Sequence, residues 1–112
     1  MDEELHILWT SDNIVTAQKM VLLYAHNALK REWWKRVTVI VWGAATALVA
    51  TNAEIRTTIS EMIADGVRFS ACKACSDQLD ATVALEELGI EVKYWGSDLT
   101  ALLKSGAKLL TI

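Results

Sequence analysis

The stretch "VTVIVWGAATALVA", Val37 to Ala50, decides how this chain folds. Its first six residues are β-branched or aromatic and show almost no polar alternation, as expected for a strand in a sheet covered on both sides. Gly43 ends that strand, and "AATALVA" then reads as a short buried helix. The run is 14 residues long with a glycine inside it, whereas a membrane span needs roughly 18–20 apolar residues. A buried strand turning into a buried helix is therefore the reading, and no membrane span is expected.

Working outward, the same unit recurs on both sides. "LHILWT", Leu5–Thr10, is a short apolar strand, and Asp12 or Asn13 can cap the helix that follows. Ile14, Ala17, Val21, Ala25 and Ala28 recur at spacings of three and four, one face of a helix that ends near "KREWWKR", residues 30–36. After Thr51 and Asn52, Ile55, Ile59, Met62 and Ile63 form the inward face of another helix, closed by Gly66. "VRFSA", Val67–Ala71, is the third strand. Cys72 to Leu88 reads as one helix with Cys75, Leu79 and Val83 on its inner stripe. "IEVKYW", Ile90–Trp95, is a more alternating and less covered strand. A short helix from Gly96 to Lys104 leads to a last strand, "AKLLTI".

Regular β-α alternation with short connections implies an α/β fold, a parallel five-stranded sheet with helices on its faces, as a single domain over residues 1–112. With 53% hydrophobic residues, the chain can build a real core. A mean hydropathy of +0.25 is high for so small a domain and points to burial against other copies. The net charge of −3 gives no electrostatic reason to expect nucleic acid. The opening "MDEEL" is acidic where a secretory signal would be basic, so a cytoplasmic location is expected.

Ligands on parallel sheets bind beyond the carboxyl ends of the strands. Those ends carry Trp9-Thr10-Ser11, Trp42-Gly43, Ala71-Cys72 and Trp95-Gly96, so three of the five tryptophans fall on one edge with a thiol. An aromatic-walled crevice around Cys72 is one reading; an upper core layer of tryptophans is the other.

Cys72 and Cys75 are the only cysteines and form a C-x-x-C. Cys72 stands where a strand meets a helix N-terminus, with Lys73 beside it, and both features favour thiolate. Cys75, one turn on, is expected to face inward. A thioredoxin-type pair needs a neighbouring cis-proline, and the chain has no proline. A tetrahedral metal or an iron–sulfur cluster needs four ligands. His6 and His26 do not converge on the thiols and are expected to be exposed or locally satisfied. No metal and no cofactor are expected. "REWWKR" reads as a helix end whose tryptophans pack on a neighbour.

The segments "GAATALVA", "ADGVRFSACKAC" and "EELGIEVKYWG" resemble the DsrE/DsrF-like family of small sulfur-relay proteins over nearly the whole chain, Leu5 to Ile112. The resemblance implies a three-layer α/β/α domain, usually assembled as trimers or hexamers. It also implies a persulfide-bearing cysteine after the third strand, the position of Cys72. Cys75 lies outside the general family pattern. The expected function is thus a sulfur carrier exchanging with a donor or acceptor protein. A redox or sensing dithiol and a non-catalytic oligomeric module for a small ligand are the alternatives. Cys72 and Cys75 are the candidate reactive residues, and Trp9, Thr10, Ser11, Trp42, Gly43, Lys73, Trp95 and Gly96 the candidate surroundings.

Overall fold

The structure, a computed structural model, describes residues 3–112; Met1 and Asp2, part of the acidic opening, lie outside them. Strands β1 (Glu4–Trp9), β2 (Arg36–Val41), β3 (Arg68–Cys72), β4 (Glu91–Lys93) and β5 (Lys108–Thr111) form one sheet in the order β4-β3-β2-β1-β5. Every pairing is parallel. The α/β reading and its five-stranded parallel sheet are borne out. β4 is an edge strand of three residues, in keeping with its alternating sequence.

The order explains how the faces are covered. From β1 to β4 the chain always moves one strand the same way, and right-handed crossovers then leave their helices on one face. That first face is packed by α1 (Ile14–Thr16), a π-helical turn (Ala17–Val21), α2 (Leu22–Lys30), α3 (Ala44–Thr51), α4 (Ala53–Ala64) and α6 (Thr82–Glu87). Its core joins Ile7, Val39 and Phe69 of the sheet to Val21, Ile55, Ile59, Met62 and Leu85 of the helices. The connection from β4 to β5 runs back across the sheet, so its helix, α7 (Gly96–Ser105), packs on the second face. There Leu99 and Leu102 meet Ile40, Cys72 and Trp95. Ten helical residues span about 15 Å, too little to cover five strands about 4.8 Å apart.

The caps follow the sequence closely. Asn13 accepts from Thr16 N and Asn52 from Ile55 N, each at 2.9 Å. Gly66 takes φ +106° where α4 turns into β3.

The helix expected from Cys72 to Leu88 is instead two short ones, α5 (Lys73–Gln78) and α6, broken at residues 79–81. Asp80 adopts φ +54°, and Ala81 N donates back to Ser76 O at 2.8 Å, a left-handed helix stop built without glycine. Ser76 Oγ and Thr82 Oγ1 lie 2.7 Å apart, and Thr82 also donates to Asp77. The break rotates the second half, so Leu79 and Val83, expected inward, are 47% and 67% exposed while Leu85 is buried. At "REWWKR", Trp34 packs on the core and donates to the Tyr24 hydroxyl at 3.2 Å, while Trp33 projects outward, 55% exposed.

Candidate functional site

Side chains alternate along a strand, so β3 sends Phe69 and Ala71 to the first face and Ser70 and Cys72 to the second. Cys72 ends β3 with an extended backbone and opens α5. Its side chain lies in a small apolar cluster with Ile40 and Trp95, against which Leu8, Trp42, Cys75, Leu99 and Leu102 pack. Both cysteines are free thiols.

The two thiols are not exposed as the sequence suggested. Cys72 is buried, 4% exposed, while Cys75 is only half-buried. The reason lies in α7, which crosses the carboxyl half of the second face and closes over Cys72. Cys75, on the first turn of α5, looks toward the turn after β2. Its Sγ is 3.7 Å from Gly43 O and 3.7 Å from Thr46 Oγ1. Gly43 takes φ +62° and ψ −138°, a region open to glycine alone, and this turn aims its carbonyl at the thiol. Thr46 carries no signal in the sequence and is found only by its contact. The helix behind Cys72 is six residues long, so it aligns far fewer peptide dipoles than the long helix expected there.

The other candidate residues divide. Trp42 and Trp95 belong to the cluster around Cys72. Trp9 does not: it has the parity of Ile7, lies in the first-face core, and donates from Nε1 to Ser11 O at 2.9 Å. Thr10 is tied to the last strand, its N and Oγ1 donating to Ile112 O. Ser11 Oγ accepts from Asn13 N. Lys73 Nζ pairs with Asp77 at 2.9 Å rather than with a thiol, and the Asp77 hydrogen bond raises the lysine's pKa. Hydrogen bonds from Thr82 and then Lys73 hold the Asp77 carboxyl below its ordinary range. Gly96 opens α7 and its carbonyl accepts from Thr100 Oγ1.

Of the histidines, His26 pairs with Asp65 at 2.7 Å. His6 departs from expectation. Its side chain is only 12% exposed, and Nδ1 is buried with no hydrogen-bond partner among the described residues. Also among the described residues, no group of three or more His, Cys, Asp or Glu is placed to hold a metal ion, and no helix is long and apolar enough to cross a membrane.

No family model matches this chain, and no curated protein matches it. Solved structures do. The chain is similar to MTH1491 from Methanobacterium thermoautotrophicum, a protein of unknown function, at 19% identity and TM-score 0.68, over 97% of this chain and 98% of that one. It is similar to the ychN protein from E. coli at 15% identity and TM-score 0.71, over the full length of both. These two likenesses concern the fold alone. A conserved protein of unknown function, BT1422 from Bacteroides thetaiotaomicron, is 41% identical with a TM-score of 0.96, over 98% of this chain and 95% of its own. At that identity over nearly the whole length, the chain belongs to the family of BT1422.

Proposed function

We propose that the protein is a sulfur carrier that holds a persulfide on Cys72, with Cys75 as the neighbouring exchange thiol. The observation that carries this reading is the pairing of a buried free thiol inside an apolar cluster with a half-buried free thiol at the rim of the same cluster. A persulfide needs a nucleophilic sulfur to form and shelter from water and stray thiols to persist. Ile40, Trp42 and Trp95 supply the shelter, and the resemblance to DsrE/DsrF-like proteins points the same way. In the loading step the Cys72 thiolate attacks the outer sulfur of a donor persulfide. A Cys72 S–S bond forms, the donor's S–S bond breaks, and the donor leaves as thiolate. In the unloading step an acceptor thiolate repeats the exchange. Alternatively Cys75 attacks the inner sulfur, forming the Cys72–Cys75 disulfide and releasing hydrosulfide. Partners on this reading are sulfur-donor and sulfur-acceptor proteins in the cytoplasm, and a homo-oligomer joined through exposed apolar groups such as Trp33.

A polysulfide donor followed by desalting and intact mass measurement tests it. Wild type should gain about 32 Da per added sulfur, in keeping with reversible thiol caps. Cys72→Ser should keep no lasting adduct, because Cys75 lies half-buried at the rim of the apolar cluster, and Cys75→Ser should keep the adduct for longer. An adduct that survives Cys72→Ser removes the carrier reading. The shared cluster also favours a second reading, a redox dithiol, whose mark is a Cys72–Cys75 disulfide formed by mild oxidant with no sulfur adduct.

A further inference from the structure

The second face of the sheet is two surfaces in one. Its carboxyl half, under α7, is apolar and holds Cys72. Its amino half is polar, and α7 does not reach it. Strand register lines up His6 of β1, Thr38 of β2 and Arg68 of β3 in one row, with Ser70 of β3 and Glu91 of β4 in the next. Thr38 and Ser70 are buried and the His6 side chain nearly so, and they form a floor, while Arg68 and Glu91 stand exposed at its rim. Above them lies a cavity of about 460 Å³, walled on the β4 side by Lys93 and Trp95. That volume falls within the range of small-ligand sites, about 300–1,000 Å³. Cys72 and Cys75 are not among its lining residues.

Several groups on this floor are already fixed. Trp95 Nε1 donates to Ser70 Oγ at 2.8 Å, and Ser70 Oγ donates to Glu91 Oε1 at 3.0 Å. Glu91 Oε1 also lies 3.9 Å from Lys93 Nζ. Glu4 is shared between Arg36 and His6, each 3.6 Å away, and Lys93 pairs with Asp98 at 2.7 Å. Arg68 has no ion-pair partner among the described residues, and His6 Nδ1 has no hydrogen-bond partner there. Burial lowers the His6 pKa against the opposing effect of Glu4, and the neighbouring Arg68 lowers it further. The lining therefore carries two carboxylates, Glu4 and Glu91, against two cations, Arg68 and Lys93. Such a lining has no net charge and gives neither a multivalent anion nor a simple cation a net attraction. It suits a molecule bearing one charge of each sign.

The geometry points to a binding site for a small zwitterion of the amino-acid type on this half-face, with its carboxylate on Arg68 and its ammonium on Glu91. The Arg68 fork matches a planar carboxylate. The Thr38 hydroxyl completes the anionic end, and the Ser70 bond holds Glu91 in place for the cationic end. Trp95 belongs both to this wall and to the Cys72 cluster, so a bound ligand touches a side chain that also closes the thiol site.

The experiment titrates individual free amino acids at millimolar concentration, with acetate and methylammonium as controls. Tryptophan fluorescence and the thermal midpoint are the readouts. At least one amino acid should bind saturably and raise the midpoint while neither control does. Exposed Arg68 tolerates Arg68→Gln, which should weaken binding about tenfold or more, the loss expected for one charged hydrogen-bonded contact. Glu91→Gln should weaken it by a similar factor, and Cys75→Ser should leave it unchanged. The site is refuted if no amino acid binds, if acetate binds as well as the zwitterion, or if Arg68→Gln binds like wild type. Loss of binding in Cys75→Ser would also overturn it, by moving the ligand to the thiol cluster.

Discussion

Trp95 Nε1 donates to Ser70 Oγ across 2.8 Å, and both residues are buried. This bond lies on the seam of the second sheet face. On one side Trp95 packs against Cys72 and Ile40; on the other, Ser70 passes the bond on to Glu91. Trp95→Phe keeps a ring in the cluster but removes the donor and part of the volume. It should lower stability by about 1–3 kcal/mol, measured as a shift in the urea midpoint with the slope unchanged. An unchanged midpoint would show that the seam contributes nothing.

Thiol accessibility gives the next prediction. Cys75 is half-buried and Cys72 is closed over by α7. Timed alkylation of the native protein with peptide mass mapping should label Cys75 first, the reverse of the order that the strand–helix junction alone suggests. The difference should be about tenfold or more, since an opening free energy of only ~1.4 kcal/mol gives that factor. In denaturing urea the two rates should converge. Faster labelling of Cys72 in the native state would mean that α7 stands open.

Gly43 tests the turn that presents its carbonyl to Cys75. A Cβ there would meet Thr10 only at 3.8 Å, an ordinary contact, so the cost of Gly43→Ala is backbone strain. At φ +62° and ψ −138° it should be about 1–3 kcal/mol, read from thermal or urea unfolding. A change within a few tenths of a kcal/mol would show that the turn relaxes freely.

The pH dependence of stability should carry the signature of His6. Its folded pKa lies below the ordinary value of 6.5, because burial opposes the charged imidazolium. Below 6.5 the unfolded chain takes up a proton that the folded chain refuses. The contribution of His6 is therefore intact above pH 6.5 and is lost as pH falls toward the lower folded value. Urea midpoints measured from about pH 7 to pH 5 should fall more steeply in wild type than in His6→Gln. Parallel curves would remove His6 from the account. Loss at still lower pH has a separate source, protonation of Asp77, whose carboxyl is held down by Thr82 and Lys73.

Much of the architecture is legible in the chain because it rests on local physics. The unbroken β-branched run of Val37–Val41, the caps at Asn13 and Asn52, and the turn at Gly66 each act within a few residues. Alternation of such units leads to a parallel sheet whatever the details. The two cysteines and their strand–helix junction are equally plain. Three features depend on tertiary structure. The break at Asp80 arises because Thr82 can bond Ser76 and Asp77 at once, a gain visible only when the turn is formed. The contrast between buried Cys72 and half-buried Cys75 comes from α7, twenty-odd residues away in sequence, crossing above one and not the other. The polar floor of His6, Thr38 and Ser70, with Arg68 and Glu91 at its rim, exists only through strand register, since these residues come from four separate strands. Short-range preferences choose the elements, but which face a crossover helix covers is set by the direction in which the chain steps across the sheet. That direction reverses once, after β4, and the reversal puts Cys72 under α7 and leaves the polar floor open.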